Sequence, residues 1–208
     1  MDTCIDRVPR NSSVRVGAPM VAPVVVSELR EYLKAYEEDD ALITRLARRA
    51  TAFCQRWQGR AYLAQQFADR FDRFPGGDGK IELRWGPGYY GPNNDCTVAY
   101  LATDSTLVTL SLTNSDFGYD FEAVRPVIFP SYGESWPATL TYPSAVRVQY
   151  WAGVGSAESV DEEVKQAIEM LVCHWFRNRE AVLTGSISKE VEIGLKDLLG
   201  PRRIVPVG

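Results

Sequence analysis

Residues 159–180 read SVDEEVKQAIEMLVCHWFRNRE, and this stretch decides the fold of the chain. Its apolar residues recur at spacings of three and four, which predicts an amphipathic α-helix with one buried face. Ser159 followed by Glu162 predicts a capping box at the start of that helix. The polar residues of the opposite face place the helix at the surface of a core. The predicted core residues are Val164, Ile168, Leu171, Val172 and Trp175.

Two further helices are predicted near the N-terminus. Ser27 is a suitable N-cap for a short first helix, and the second runs from about residue 40 to 58, where Gly59 ends it. The apolar stripe of the second helix points inward, and four arginines lie on the nearly opposite face. They are Arg45, Arg48, Arg49 and Arg56. This face is either a solvated surface or an interface for the carboxylates of a partner or the phosphates of DNA.

Between the helical segments, residues 61–157 show short alternating apolar runs separated by Gly, Pro, Asn and Asp, which predict antiparallel strands. The glycine-rich loops Pro75–Lys80 and Gly86–Asp95 lack the spacing of a phosphate-binding loop. Tyr89 and Tyr90 at the tip of the second loop are candidate contact residues, although they could equally fold back on the sheet. The predicted fold class is α+β: a small bundle of two N-terminal helices and one long C-terminal helix, with an antiparallel β-rich insertion.

This reading divides the chain into four parts. Residues 1–26 form an extended arm, residues 27–60 and 158–200 a helical module, residues 61–157 the β-rich insertion, and residues 201–208 a C-terminal tail. The tail is apolar apart from two arginines, so it is either untethered or placed against something. Its candidate interface residues are Arg202, Arg203, Ile204 and Val205.

Composition excludes several classes of protein. The chain is 45% apolar and 24% charged with a net charge of −4, which is typical of a globular protein and not of one that wraps DNA. Its apolar runs are too short for a membrane span, and we expect neither a signal peptide nor a membrane partner. The four cysteines are far apart in the sequence, which argues against a zinc site and a disulfide scaffold.

The sequence does not favour an enzyme. Its one histidine, His174, follows Cys173 directly, and adjacent helical residues point about 100° apart, so the two cannot form a nucleophile–base pair. No catalytic motif of known spacing is present. The acidic run Glu37–Asp40 is better explained as a helix start, and the alternating acids around Gly118 lack the last ligand of a calcium loop. We therefore expect no catalytic residue, metal or cofactor; a hydrolase that uses His174 is the remaining enzymatic alternative.

Three stretches resemble the head–tail connector (head-completion adaptor) proteins of tailed bacteriophages. The predicted C-terminal helix ends in HWFRNRE, similar to a "W-aromatic-x-NRE" signature of that family. The segment ELREYLKAYEEDDALITRLARRATAFCQRWQGRA resembles the family's short helix, acidic turn, second helix and Gly-Arg exit. Between them, SYGESWPATLTYPSAVRVQYWAGVG resembles the family's approach to the last helix.

The resemblance implies a structural virion protein. Proteins of this kind form a ring, here expected to have twelve copies, between the portal protein and the tail or a downstream stopper protein. Genomic DNA passes through the channel that the ring extends, without sequence-specific binding. The expected location is the neck of the virion, after assembly in the host cytoplasm. The alternative is a DNA-binding accessory protein of packaging that uses the four arginines, with affinity that falls as salt rises.

Overall fold

The computed structural model describes residues 10–17, 23–76, 79–91, 96–111, 115–178 and 187–204. The chain divides into two compact units, each made of two separate segments. A β unit comprises Met1–Ala18 and Ala64–Gly153, and a helical unit comprises Pro19–Leu63 and Val154–Gly208. The fold is α+β with antiparallel sheets, as the sequence predicts.

The described part of the helical unit contains four α-helices. Their bounds are Val26–Leu33 for α1, Asp40–Gln58 for α2, Glu162–Arg177 for α3 and Lys189–Leu199 for α4. α2 packs against both α1 and α3, and α3 packs against α4. Short 3₁₀ turns at Glu37–Asp39 and Gly200–Arg202 lead into α2 and out of α4.

The core of the helical unit forms where the apolar stripes of α2 and α3 meet. Ile43, Leu46 and Ala50 of α2 are buried against the other helices. From α3, the residues that the periodicity assigns to the core are all buried: Val164, Ile168, Leu171, Val172 and Trp175. Because full burial of a large apolar side chain contributes about 1.5–3 kcal/mol, this seam is the main source of stability in the unit.

The start of α3 differs from the prediction. α3 begins at Glu162 with Asp161 at its N-cap, and no side chain there accepts a capping hydrogen bond. The hydroxyl of Ser159 lies 3.1 Å from that of Ser156, so the predicted capping box does not form. The side chain of Ser159 therefore pairs with the hydroxyl of Ser156 instead of with the backbone N–H groups of the first helical turn.

The β unit contains eight described strands in two antiparallel sheets. The strands are β1 Arg10–Arg15, β2 Gln65–Phe71, β3 Ile81–Glu82, β4 Thr97–Leu101, β5 Leu107–Ser111, β6 Phe117–Asp120, β7 Val127–Pro130 and β8 Val146–Ala152. The larger sheet has the order β1-β2-β8-β4-β5, and the smaller has the order β3-β7-β6. Along β8 every second residue is buried, which is the period-two pattern of a strand with one face on a core.

Arg10–Arg15, which lie within the predicted arm of residues 1–26, form β1 at one edge of the larger sheet. Ser13 of β1 lies opposite Asp69 of β2, and Val14 lies opposite Ala68. The segment has no hydrophobic alternation of its own, so its strand conformation comes from pairing with β2. Residues 1–9 and 18–22 of the arm lie outside the described residues.

Candidate interaction surfaces

The four arginines of α2 lie together on its outer face. All four are exposed, whereas Leu46, Ala50 and Cys54 on the other side of the helix are buried. Successive residues of an α-helix are rotated by about 100° about its axis. This rotation brings Arg45, Arg49 and Arg56 within about 40° of one another, with Arg48 on the flank. Within the described residues none of the four forms an ion pair. We call this set the arginine face.

The C-terminal segment lies against the end of α2. The backbone N–H of Ile204 donates to the carbonyl oxygen of Gln58 at 2.8 Å, and the guanidinium of Arg203 stacks over the ring of Trp57 at 4.8 Å. Ile204 is buried by this arrangement, and its role at an interface stays a prediction. Arg202 and Arg203 remain exposed, and Val205 lies outside the described residues.

Asp161 joins three segments of the helical unit. Its Oδ2 accepts a hydrogen bond from the guanidinium group of Arg202 and forms an ion pair with that of Arg60 at 3.7 Å. The negative charge of Asp161 raises the pKa of Arg202, mainly through the hydrogen bond between them. The sequence analysis did not identify this ion pair. Its partners are 101 and 41 positions apart in the sequence from Asp161, so no local spacing signals it.

Tyr89 and Tyr90 lie in one loop but in different surroundings. The backbone N–H of Tyr89 donates to the carbonyl oxygen of Trp151 at 3.1 Å, which ties the loop to β8. The ring of Tyr90 packs edge-on against Tyr119 and Phe121, each with its centroid 5.4 Å away. A hydrogen bond with Tyr90 raises the pKa of the Tyr119 phenol to about 12. Tyr90 thus folds back on the small sheet while nearly half of it, 47%, stays exposed.

A buried polar network holds the start of the same loop. The hydroxyl of Tyr150 accepts from the backbone N–H of Trp85 at 3.0 Å and donates to Oδ2 of Asp69 at 3.3 Å. The same carboxylate oxygen accepts from the backbone N–H of Arg84 at 2.8 Å. Since Asp69 and Tyr150 are fully buried, these bonds fix the path of the chain between β3 and the tyrosines.

The described residues hold no arrangement typical of an active site. They contain no group of three His, Cys, Asp or Glu side chains that could hold a metal ion. Burial raises the pKa of the Cys54 and Cys96 thiols to about 12, so both are protonated at neutral pH. His174 is half-buried on α3, and its carbonyl oxygen accepts from Asn178. None of the described helices is long and apolar enough to cross a membrane.

A second charged surface, which the sequence analysis missed, surrounds α1 and the turn after it. Its members are all exposed: Glu28, Glu31, Tyr32, Tyr36, Glu37 and Glu38. The carboxylates of this set make no ion pair among the described residues; the cations of the same segment are Arg30, which pairs with Asp40, and Lys34. The acidic run was interpreted as a helix start. The exposure of two neighbouring tyrosines is the additional signal of a contact surface. We call this set the acidic–tyrosine surface.

Comparison with known proteins supports the assignment of the fold. No family model matches the sequence, and no curated protein matches it. Solved structures do match. A chain in the neck of an empty gene transfer agent (GTA) particle, computed with C6 symmetry, superposes with a TM-score of 0.73 and 17% identity, over 94% of this chain and 97% of that one.

Two further structures give the same result. A chain of the virion of a native GTA particle has a TM-score of 0.71 and 19% identity over 94% of this chain and 96% of that one. A chain of the neck of a native GTA particle, computed with C12 symmetry, has a TM-score of 0.68 and 18% identity over 94% and 97%. The chain therefore has the fold of a phage-like neck protein, as the resemblance to head–tail connectors implied.

Proposed function

We propose that this chain is a structural protein of the neck of a tailed-bacteriophage-like particle, where its copies form an adaptor ring. The ring lies between the portal protein and the tail or the next head-completion protein, extends the DNA channel, and carries no catalytic activity. The observation that carries this proposal is the likeness in fold, over 94% of the chain, to chains of GTA necks. Genomic DNA passes through such a ring without sequence-specific contacts.

The exposed surfaces are consistent with assembly into a ring. A closed ring needs two different, complementary surfaces on each subunit. The helical unit offers the arginine face and the acidic–tyrosine surface, and we assign it the role of the connector module, with the β-rich residues 61–157 as an insertion. Twelve copies would bind the portal through many modest contacts acting together, so each copy can remain a stable monomer before docking.

Electron microscopy tests the proposal directly. The purified chain is mixed with its portal ring, or with tailless, DNA-filled heads, at saturating concentration. We expect an added ring of density at the portal vertex and none on heads that lack the portal. Portal vertices that remain bare under these conditions would rule out the adaptor function.

A second candidate function is that of a DNA-binding accessory protein of packaging, and the arginine face is the observation that favours it. Arginine binds phosphates bidentately, and the four guanidinium groups, which form no ion pair among the described residues, could follow a DNA backbone. The chain, however, has a net charge of −4, and duplex DNA usually requires a basic excess.

Binding of duplex DNA across a salt series distinguishes the two functions. An accessory protein would bind DNA with an affinity that falls steeply with salt, and Arg49→Ala would reduce the salt slope by about 1. A neck adaptor would bind free duplex weakly or not at all. We expect the second result.

A further inference from the structure

We infer that the arginine face of α2 binds the acidic–tyrosine surface of a neighbouring copy of this chain, and that this contact closes the ring. The inference rests on the proposed function, because it assigns the two surfaces through which one ring subunit meets the next.

The first step is that no carboxylate among the described residues pairs with the arginine face. Three other arginines of the unit are paired: Arg30 with Asp40 at 2.8 Å, and Arg60 and Arg202 with Asp161. On the arginine face, the contact described is from Arg56 Nε to the carbonyl oxygen of Ala52, at 3.4 Å in its own helix. Four guanidinium groups on one helix face repel one another, and an external anion relieves that repulsion.

The second step is that the acidic–tyrosine surface carries the features of a protein interface. Tyr32 is 63% exposed and Tyr36 is 74% exposed, so two large aromatic rings stand in water beside four carboxylates. Tyrosine and arginine are enriched at the centres of protein interfaces, where aromatic rings supply most of the apolar area. A guanidinium group can both stack on such rings and bind the adjacent carboxylates bidentately.

The third step is that, among the described residues, no ion pair joins the two surfaces of one copy. The side of α2 that packs against α1 and α3 carries Ile43, Leu46 and Ala50, and the arginines point away from it. The exposed side of α1 likewise faces away from Leu29, which is its buried residue. We therefore assign the contact to two copies, the arginine face of one against the acidic–tyrosine surface of the next, and such a heterologous contact can generate a ring.

Charge complementarity favours a second copy over DNA as the occupant. The arginine face spans about 16 Å along α2, from Arg45 to Arg56, at 1.5 Å per residue. It presents four positive charges, and the acidic–tyrosine surface presents four negative charges; the cations of the same segment are Lys34 and Arg30, of which Arg30 is paired with Asp40. A second copy matches each surface with one of opposite charge, whereas a phosphate backbone would be attracted by the arginine face and repelled by the acidic–tyrosine surface.

Cysteine cross-linking tests the contact. In a background of Cys4→Ser and Cys173→Ser, Glu38→Cys and Arg49→Cys are introduced singly and together, and a short bismaleimide is added to concentrated protein. We expect the two single variants to cross-link when mixed and not when alone, and the variant with both changes to give a ladder beyond the dimer. The inference would be overturned if the mixture of single variants cross-linked no more than each variant alone. It would also be overturned if the variant with both changes gave a product that stops at the dimer.

Charge reversal provides the second measurement. Glu37→Arg with Glu38→Arg, or Arg48→Glu with Arg49→Glu, is expected to weaken self-association about tenfold or more in sedimentation equilibrium, because like charges then face each other. All four changes in one chain restore opposite signs and are expected to restore association. All four positions are exposed, and an unchanged melting temperature confirms that the variants fold. The inference would be overturned if the charge reversals did not weaken self-association, or if the chain with all four changes did not recover it.

The outcomes separate this contact from the proposed function and from DNA binding. A chain that docks at the portal vertex without the Glu38–Arg49 cross-link keeps the function and loses this contact. A chain that forms the cross-linked ladder but leaves portals bare keeps the contact and loses the function. Arginine reversals that abolish binding of duplex DNA and leave self-association unchanged would assign the face to DNA instead.

Discussion

The side-chain amide of Gln58 at the end of α2 donates a hydrogen bond of 2.9 Å to the carbonyl oxygen of Leu199 at the end of α4. The two residues are 141 positions apart in the sequence, and Gln58 is 1% exposed. The backbone carbonyl oxygen of Gln58 also accepts a hydrogen bond from the backbone N–H of Ile204. One glutamine thus fixes where the C-terminal segment meets the helical core.

Gln58→Ala is expected to lower the free energy of unfolding by about 1–3 kcal/mol, because it leaves a buried carbonyl group without its donor. Urea unfolding followed by circular dichroism measures the loss. Gln166→Ala, at an exposed position of α3, is the matched control and is expected to change stability by less than about 0.5 kcal/mol. Equal, small effects of both substitutions would show that the bond contributes nothing.

Gly59→Ala is expected to destabilise the same junction. Gly59 has φ of +72°, which costs a residue with a Cβ about 1–2 kcal/mol, and a Cβ there would lie 2.8 Å from the carbonyl oxygen of Ile204. We therefore expect a loss of at least that size in urea unfolding. Gly200→Ala is the control, since its φ is −57° and no atom lies within 4 Å of the added methyl group. A loss no larger than that of the control would contradict the strain at Gly59.

The helices could be predicted from the sequence because their signal is local. Apolar spacing of three and four residues identifies the buried face of α3, and Gly59 marks the end of α2 whatever the rest of the chain does. The starts of the helices were predicted less accurately, because a serine that suits an N-cap can form its hydrogen bond with another group. Ser159 contacts Ser156, and α1 begins at Val26, one residue before the predicted cap.

The features that depend on distant partners could not be predicted. β1 becomes a strand by pairing with β2, and Ile204 becomes buried because its N–H reaches Gln58. The arginine face was visible from helical periodicity alone. Its counterpart was not, because a run of carboxylates looks the same whether it stabilises a helix start or meets a partner. The exposure of Tyr32 and Tyr36, which distinguishes the two cases, is a property of the folded chain.

Trp175→Ala is expected to lower the free energy of unfolding by about 3–5 kcal/mol, because the substitution leaves a large cavity in the core. Trp175 is 7% exposed, and its ring packs edge-on against Phe53 with centroids 6.4 Å apart. Chemical denaturation gives the magnitude, with Tyr132→Ala as a control at a fully exposed aromatic position. A loss below about 1 kcal/mol would contradict the assignment of Trp175 to the core.

Tyr150→Phe tests the polar network in the β unit. The substitution keeps the ring that packs on Phe67 and removes the hydroxyl that accepts from Trp85 and donates to Asp69. The loss of one acceptor for a backbone N–H is expected to cost about 1–3 kcal/mol. Tyr132→Phe is the control for removal of an exposed hydroxyl. Amide exchange at Trp85 should also accelerate, and unchanged exchange would show that the hydroxyl does not hold the loop.

The buried thiols make stability fall as the pH rises. Burial raises the pKa of Cys54 and Cys96 from about 9 to about 12, so between these values an unfolded chain releases protons that the folded chain retains. Because only the unfolded chain releases these protons in that range, rising pH lowers the free energy of unfolding by up to about 1.4 kcal/mol per pH unit for each thiol. We expect neither thiol to react with a maleimide at pH 8 until urea unfolds the chain, whereas half-buried Cys173 reacts in the folded state. Modification of Cys54 in the folded protein, located by peptide mass spectrometry, would contradict its burial between α2 and its neighbours.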